Sequence, residues 1–424
     1  METQTVSLPD GTVENVLVPK VYLAHAGGDA VKASGALVTG DGVAINTSDS
    51  IVNRGGLIDG ANGRTVLVAG QDIVNQGGAI KGGAVGLSAG RDVINQSLTI
   101  KQEYASVNTS GNYTTLSNQA SITGSGAVAI KAGLDVADTG GTIAGASVGI
   151  GAGRDVNFNA LQTGSTYASQ VAAYTEKDSS TTYKTGQVAS SGDLTMVAGQ
   201  DIKLSGTQVA IGATGSGTLV AGRDVSIAAV VNEVNISKQN DPGSKLYDKE
   251  IHQNQSVVGA SVTAGGDLAV KAGDSGLGNL AIAGSNLAGG GKVLLAASGD
   301  VSITQVQENH LTDLAHHDES SSMFKKSSNT SADYSKIDKV VGSSVSGDSV
   351  VVKSGNDIVV NGSQLSATQA LTLNAGRDLL VSSAQQSDSE KHSEQHDRSG
   401  FSFNVASGAL GYSKSEHAWA SLAE

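Results

Sequence analysis

The sequence predicts an all-β fold, a right-handed parallel β-helix (solenoid) with projecting β-hairpins. Three observations indicate it: a short phrase that returns along the chain, an alternation of apolar residues before each return, and two classes of spacing between returns. The composition agrees, because 56 Gly and only 3% aromatic residues in 424 leave a thin core of small aliphatic side chains. Such a core suits short coils stacked on one another.

The phrase Ala-Gly-x-Asp-Val, or a close variant, returns along residues 69–379. Glycine can adopt the positive φ of a tight corner, and aspartate can hydrogen-bond to nearby backbone. We therefore expect each return to form one corner of a coil. These structural corner positions are Gly70, Asp72, Gly90, Asp92, Gly133, Asp135, Gly153, Asp155, Gly199, Asp201, Gly222, Asp224, Gly355, Asp357, Gly376 and Asp378.

The residues before each corner alternate with a period of two, as in Val148, Ile150 and Ala152. A period of two is typical of a β-strand with one buried face. The slot between Gly and Asp holds an arginine in four of the returns, and these side chains are expected to form a surface column of ion pairs of small net value. They are Arg91, Arg154, Arg223 and Arg377.

The corners are separated by short intervals of 20–26 residues or long intervals of 43–56 residues. A short interval is one coil, and a long interval is two coils or one coil plus an excursion. We expect a lead-in and first coil over 1–36 and a β-helix of roughly 12 coils over 37–383. Hairpin excursions are expected near 98–119, 160–187, 229–258 and 305–341, with a final hairpin or polar tail over 384–424.

A second corner signature lies in "IVNRGGLIDG" (51–60) and "IVNQGGAIKG" (73–82), which superimpose at a shift of 22 residues. Asn53, Asn75 and Asn95 then share one position, and Asp138 and Asn159 are expected to follow them. Asparagines stacked in this way hydrogen-bond from one β-layer to the next. The pattern predicts an amide ladder inside the solenoid.

The excursions hold nearly all the residues suited to recognition, including eight of the nine tyrosines. In the second excursion a turn at 177–180 would pair Tyr174 with Tyr183, and in the third a turn at 240–243 would pair Ile236 with Tyr247. The fourth and fifth are more polar, which favours partial disorder. Tyrosines are frequent interface residues, although they also stabilise hairpins. The candidate interaction residues are Tyr104, Tyr113, Tyr167, Tyr174, Tyr183 and Tyr247.

Charge and composition exclude several function classes. A net charge of −13 argues against nucleic acid and against a polybasic lipid-binding patch. The absence of cysteine fits passage through an oxidising periplasm. The first 20 residues lack the pattern of a signal peptide, and no apolar run is long enough to span a membrane, which favours a segment of a longer secreted protein.

No catalytic, cofactor-binding or metal site is predicted. One Gly-x-Asp per coil would not gather calcium ligands as tandem nonapeptide repeats do. His392 and His396 would come together only on a helix, in a stretch without an apolar face, and His316–His317 lies in similarly polar surroundings. The acids are spread one to a coil, so the carboxylate cluster of a sugar-cleaving β-helix is missing.

The repeats nevertheless resemble a known family. "VPKVYLAHAGGDAVKASGALVTGDGVAINTSDSIVNRGGLIDG" (18–60) and "SGDLTMVAGQDIKLSGTQV" (191–209) are similar to the second haemagglutinin-repeat region of filamentous haemagglutinins and of contact-dependent growth inhibition (CdiA-type) effectors. The resemblance covers nearly the whole chain. It implies a Gram-negative protein that is exported by an outer-membrane transporter of a two-partner system and is secreted or held at the cell surface.

The resemblance also implies a function. The expected role is a non-enzymatic filament segment that engages the target-cell outer membrane, or its proteins, and helps to deliver a C-terminal toxin. An adhesin stalk that binds a host or biofilm glycan or protein receptor is the alternative, and a polysaccharide-acting enzyme is a lesser one. No cofactor and no nucleic acid are expected, and the ends of the solenoid favour self-stacking.

Overall fold

The computed structural model describes residues 2–7, 13–18, 35–241, 243–404, 407 and 409–423. Two compact units are present, residues 1–30 and 31–424. In the first, the antiparallel strands Glu2–Ser7 and Val13–Val18 form a two-stranded sheet. Most of the lead-in expected over 1–36 lies outside the described residues.

Each coil of the second unit contains three short strands separated by three corners. Equivalent strands of successive coils pair in parallel, as Val148 does with Val128 below it and Leu194 above it. The third strands form an 11-stranded parallel sheet, so residues 35–384 contain eleven coils. The predicted parallel β-helix is confirmed.

The strand bounds follow the coils in order. The first strands are Leu37–Thr39, Leu57–Asp59, Ala79–Gly82, Ser121–Gly124, Thr142–Gly145, Gln187–Ser190, Gln208–Ile211, Ser261–Ala264 and Asn286–Gly289. The second strands are Val43–Thr47, Arg64–Ala69, Ala84–Ala89, Ala127–Ala132, Ser147–Ala152, Leu194–Ala198, Gly217–Ala221, Leu268–Ala272 and Lys292–Ala297. In the last two coils, Ser344–Ser354 and Gln364–Ala375 each continue through both positions. The third strands are Ile51–Arg54, Ile73–Gln76, Val93–Gln96, Val136–Thr139, Val156–Asn159, Ile202–Ser205, Val225–Ala228, Leu280–Ala283, Val301–Thr304, Ile358–Asn361 and Leu379–Ser382.

The core is a column of aliphatic side chains, one set for each coil. Met196, Ile202 and Leu204 are fully buried, whereas Thr195, Val197 and Lys203 beside them are exposed. The column is thin, so small residues such as Ala198 fill the position beside the corner. This packing explains why aliphatic residues of moderate size dominate the solenoid.

Five antiparallel hairpins each leave the solenoid after a third strand, and together they form one 10-stranded sheet. We call it the hairpin sheet. The fourth and fifth hairpins are continuous strands of up to 18 residues rather than partly disordered segments. The five pairs of strands are Leu98–Ala105 with Thr109–Asn118, Leu161–Val171 with Tyr174–Lys184, Val230–Gln239 with Leu246–Val258, Val306–Ser322 with Lys325–Val341, and Ser387–Asn404 with Ala409–Ala423.

The two kinds of interval follow from the spacing of β-strands. Two coils of the solenoid rise about 9.6 Å, and the two strands of one hairpin occupy the same distance in a sheet. With one hairpin for every two coils, the hairpin sheet therefore extends by the same distance as the solenoid that carries it. Each long interval is one coil plus a hairpin, which resolves the alternative that the sequence left open.

The predicted partners within two hairpins are wrong. The second hairpin turns at Ala172, where φ is +51°, so Tyr174 pairs with Val171 and Tyr183 with Gln162. In the third hairpin the turn is longer than expected, so Ile236 pairs with His252. Among the described residues, no helix is long and apolar enough to cross a membrane.

Candidate functional site: the corner ladder and the hairpin sheet

The corner aspartates form a ladder that runs through the solenoid. The N–H of each one donates to the side chain of its counterpart in the preceding coil, as Asp135 does to Asp92 Oδ1 at 3.0 Å and Asp224 does to Asp201 Oδ1 at 3.1 Å. Asn279 takes the place of aspartate in one coil, and its Oδ1 accepts the Asp300 N–H at 2.9 Å. The phrase therefore recurs because an acceptor is needed at this corner in each coil.

The corner glycines are required by close approach and not by a positive φ. A Cβ on Gly153 would lie 2.1 Å from the carbonyl oxygen of Gly133 in the preceding coil, and one on Gly199 would lie 2.1 Å from that of Gly153. The expectation that these corners need positive φ is wrong, because that conformation occurs at a different corner, at Gly77 (+59°) and Gly140 (+61°) for example. At the Ala-Gly-x-Asp corner the backbones of adjacent coils leave no room for a side chain.

The arginines between Gly and Asp reach back to the preceding coil. Arg223 Nε donates to Asp201 Oδ1 at 2.8 Å, and Arg377 Nε donates to Asp357 Oδ1 at 3.1 Å. Hydrogen bonding to Arg223 lowers the pKa of Asp201 below its usual range. These pairs are exposed, so their main contribution is to hold the carboxylates in the ladder geometry.

Two substitutions of Asp201 distinguish the contribution of the aspartate ladder to stability from that of the ion pair with Arg223. Asp201→Asn keeps an oxygen for the Asp224 N–H, as Asn279 does naturally, and we expect only a slight decrease in the free energy of unfolding. Asp201→Ala leaves that N–H without its acceptor, which costs about 1–3 kcal/mol more. Urea unfolding followed by circular dichroism measures both variants. Equal losses would show that the ion pair, not the ladder, stabilises the corner.

The asparagine ladder is present, and it ends at Asp138. Asn53 Nδ2 donates to Asn75 Oδ1 at 2.9 Å, Asn75 Nδ2 to Asn95 Oδ1 at 2.7 Å, and Asn95 Nδ2 to Asp138 Oδ1 at 2.6 Å. Burial raises the pKa of Asp138 to about 7.

The predicted place of Asn159 in this ladder is wrong. Phe158 pairs with Asp138 in the next coil, and Asn159 pairs with Thr139. A carboxylate accepts hydrogen bonds and offers no amide N–H to the coil above. Asp138 is therefore suited to end the amide ladder, because the next coil places the ring of Phe158, which has no acceptor, at the equivalent position.

The hairpin sheet separates its side chains into two faces. The registers between strands place six of the eight histidines on one face, which we call the histidine face. Most strand residues of the sheet are partly or fully exposed, so both faces remain open. The six are His252, His310, His316, His392, His396 and His417.

The same registers divide the six candidate tyrosines. Tyr104, Tyr113, Tyr167 and Tyr174 lie on the histidine face, whereas Tyr183 and Tyr247 lie on the opposite one. Gly111 pairs with Tyr104 on one neighbouring strand and with Tyr167 on the other, so the two tyrosines lie on either side of this glycine. The sheet does not gather all six into one site.

Most of the imidazoles on the histidine face have a carboxylate beside them. His316 Nδ1 lies 2.6 Å from Asp248 Oδ1, His396 Nε2 lies 2.7 Å from Glu394 Oε1, and His392 contacts Asp333. Tyr174, Lys238, Glu250, His252 and Asp333 line an open groove of about 570 Å³ on this face. Donors, acceptors and an aromatic ring in one groove can hold a polar ligand.

The histidine motifs singled out from the sequence lie on strands. His392 and His396 are therefore about 13 Å apart along Ser387–Asn404 rather than together on a helix turn. His396 instead pairs across the strands with His417, a neighbour that the spacing in sequence does not reveal. Within the described ranges, no group of three or more acidic or histidine side chains is placed to hold a metal ion.

Comparison with known proteins agrees with this architecture. The model of the hemagglutinin repeat family matches residues 95–174, 170–243, 241–396 and 322–421, which together span more than half of the chain. The chain belongs to the hemagglutinin repeat family. Its matched ranges cover four of the five hairpins completely along with the coils between them. The family resemblance found in the sequence is confirmed.

A curated relative extends the comparison to nearly the whole chain. The tRNA nuclease CdiA-2 of Burkholderia pseudomallei (strain 1026b) is 26% identical over 442 residues, which covers 97% of this chain. The chain spans only 14% of the length of that relative. No solved structure matches the chain significantly. The matches support a repeat-built filament segment of a two-partner-secreted protein.

Proposed function

We propose that this chain is a non-enzymatic filament segment that engages the outer membrane of a target cell and helps to deliver a toxin from the same secreted protein. The solenoid is the support, and the hairpin sheet is the surface that makes contact. An outer-membrane transporter of a two-partner system would export the protein from a Gram-negative cell. The delivery role in this proposal comes from the resemblance of the repeats to those of contact-dependent growth inhibition effectors.

One observation carries the proposal: the hairpin sheet is a ten-stranded sheet whose two faces are both open. A sheet normally buries at least one face in a core, and three or more strands need such a face for independent stability. Here the solenoid holds the strands by their ends and leaves the faces available. This arrangement supports contact with a large external surface more than it supports catalysis.

Binding to outer-membrane vesicles tests the proposal. The chain should sediment with vesicles from a Gram-negative target strain, and replacement of residues 160–187 and 229–258 by short turns should weaken this binding because it divides the hairpin sheet. Shortening only the first hairpin, 98–119, is the matched control because it lies at the sheet edge and leaves the other strands paired. No binding by the intact chain would contradict the proposal and indicate a spacer, whereas equal binding by all three proteins would place the contact outside the second and third hairpins.

The groove on the histidine face favours an adhesin as the second candidate. Its polar side chains beside Tyr174 suit a saccharide or a peptide loop. An adhesin would bind a purified glycan or protein receptor saturably without any membrane, whereas the delivery segment requires vesicles. The lesser enzyme alternative would release reducing ends from a polysaccharide.

A further inference from the structure

The fourth and fifth hairpins end in an exposed apolar cluster, which we call the aromatic tip. Phe324 is 63% exposed in the turn of the fourth hairpin, and Phe403 is 62% exposed near the end of the fifth. Of the four phenylalanines of the chain, the only one outside the tip, Phe158, is fully buried in the solenoid core. The tip consists of Met323, Phe324, Phe401, Phe403, Leu410 and Tyr412.

The two hairpins hold the tip as one unit. The Phe401 N–H donates to the Phe324 carbonyl oxygen at 2.8 Å, which joins the fifth hairpin to the turn of the fourth. Across the fifth hairpin, Phe401 pairs with Tyr412, with ring centroids 5.1 Å apart, and Phe403 pairs with Leu410. These four side chains lie on one face, whereas Ser402 and Gly411 occupy the other. The cluster is therefore an ordered apolar surface.

Basic side chains surround the base of the tip. Ser399 pairs with Lys326 on one side and with Lys414 on the other. This row lies two residues along the strands from the pair formed by Phe401 and Tyr412. Lys325 and Arg398 lie on the opposite face at the same level and are exposed. We call Lys325, Lys326, Arg398 and Lys414 the cationic collar.

The nearest acidic residues lie on the side of the collar that faces away from the tip. Glu319 and Glu416 lie one further step from the tip, and there they contact Lys326 at 2.9 Å and Lys414 at 3.5 Å. The tip is thus basic although the chain carries a net charge of −13. About 7 Å of strand separates Tyr412 from Lys414 and about 13 Å separates Leu410 from it, a span that includes the roughly 5–10 Å to which apolar side chains enter the boundary between headgroups and acyl chains.

We propose that the aromatic tip inserts into the interface of an anionic lipid bilayer, with the cationic collar at the level of the phosphates. Exposed aromatic and aliphatic side chains bind at the boundary between headgroups and acyl chains, and nearby lysines and arginines attract anionic lipid. The fourth and fifth hairpins have the longest strands of the sheet, which suits their ends to reach a surface first. The inference deepens the proposed function, since it names lipid as the part of the membrane that is bound.

Vesicle binding tests the tip directly. Wild type should float with phosphatidylcholine–phosphatidylglycerol vesicles and bind pure phosphatidylcholine vesicles more weakly. The triple variant Phe401→Ser/Phe403→Ser/Tyr412→Ser should bind the anionic vesicles about tenfold less. Val107→Ser is the control, because Val107 is 99% exposed at the turn of the first hairpin and lies outside the tip. Equal binding by wild type and the triple variant, or no binding by either, overturns the inference.

A fluorescence measurement locates the inserted residues. Trp419 is the only tryptophan and lies seven residues below Tyr412 on the same strand, so brominated lipid should leave its emission unchanged. Phe403→Trp in a Trp419→Phe background should be quenched. Quenching of Trp419 alone would overturn the inference.

The two proposals fail in different ways. Binding to outer-membrane vesicles without binding to lipid vesicles would overturn insertion of the tip and leave target-cell engagement standing. Binding to lipid through the tip without binding to outer-membrane vesicles would do the reverse. Self-association through the tip, seen as a dimer that the triple variant no longer forms and without lipid binding, also overturns the inference.

Discussion

Gly153→Ala should lower the free energy of unfolding by at least about 3 kcal/mol, because the new methyl group would lie 2.1 Å from the carbonyl oxygen of Gly133. Two backbones on adjacent coils create this contact, so no side chain can move aside. Relief requires the coils to separate at the corner, which lengthens the hydrogen bond from the Gly153 N–H to the Ala132 carbonyl. Urea unfolding monitored by circular dichroism measures the loss.

Gly151→Ala is the matched control two residues earlier. Gly151 points outwards from the same strand, and no atom lies within 4 Å of a Cβ built there. Alanine should leave stability unchanged or raise it by up to about 1 kcal/mol, because it restricts the unfolded chain. A loss equal to that of Gly153→Ala would mean that the close approach of the coils is not what requires glycine.

The pattern of the solenoid could be predicted from the sequence because each coil repeats the same local problem. Alternation at Val148, Ile150 and Ala152 reports the buried face, and the regular return of Gly153 and Asp155 reports the corner. The reason for the glycine could not be predicted. The requirement depends on the distance between successive coils, and the sequence of one coil does not reveal that distance. A positive φ is a local property of one residue, so it was the simpler expectation.

The hairpins show a different limit. Their places were marked by the lengths of the intervals, but their internal registers were set by turns whose position the composition does not reveal. The second hairpin turns at Ala172, which adopts a positive φ although it is neither glycine nor asparagine, so the sequence does not indicate the position of this turn. An error of a few residues in a turn changes every cross-strand partner, and neighbours such as His396 and His417 depend on those partners.

Asp138→Asn should stabilise the protein by up to about 4 kcal/mol at pH 8 and by only about 1.5 kcal/mol at pH 5. Burial raises the pKa of Asp138 from the usual value of 3.8 to about 7 in the folded chain. Between about pH 4 and pH 7 the folded state therefore keeps a proton that the unfolded state has released. Stability falls as the pH rises through this window and reaches its lower level above pH 7, where the buried carboxylate is charged.

Asparagine removes that charge and keeps the shape of the side chain. The two positions differ in one hydrogen bond: Asn75 Nδ2 donates to the Gly78 carbonyl oxygen at 3.0 Å, whereas the Gly141 N–H donates to Asp138 Oδ2 at 3.1 Å. Asp138→Asn loses one of the two oxygen acceptors, so the gain of about 4 kcal/mol is an upper limit. Asp193→Asn is the control, because it makes the same substitution at an exposed corner, where the carboxylate accepts the Ser216 N–H at 2.9 Å. Urea unfolding at pH 5 and pH 8 gives both differences. A gain from Asp138→Asn that is the same at both pH values would show that the amide ladder, and not the buried charge, limits stability in this coil.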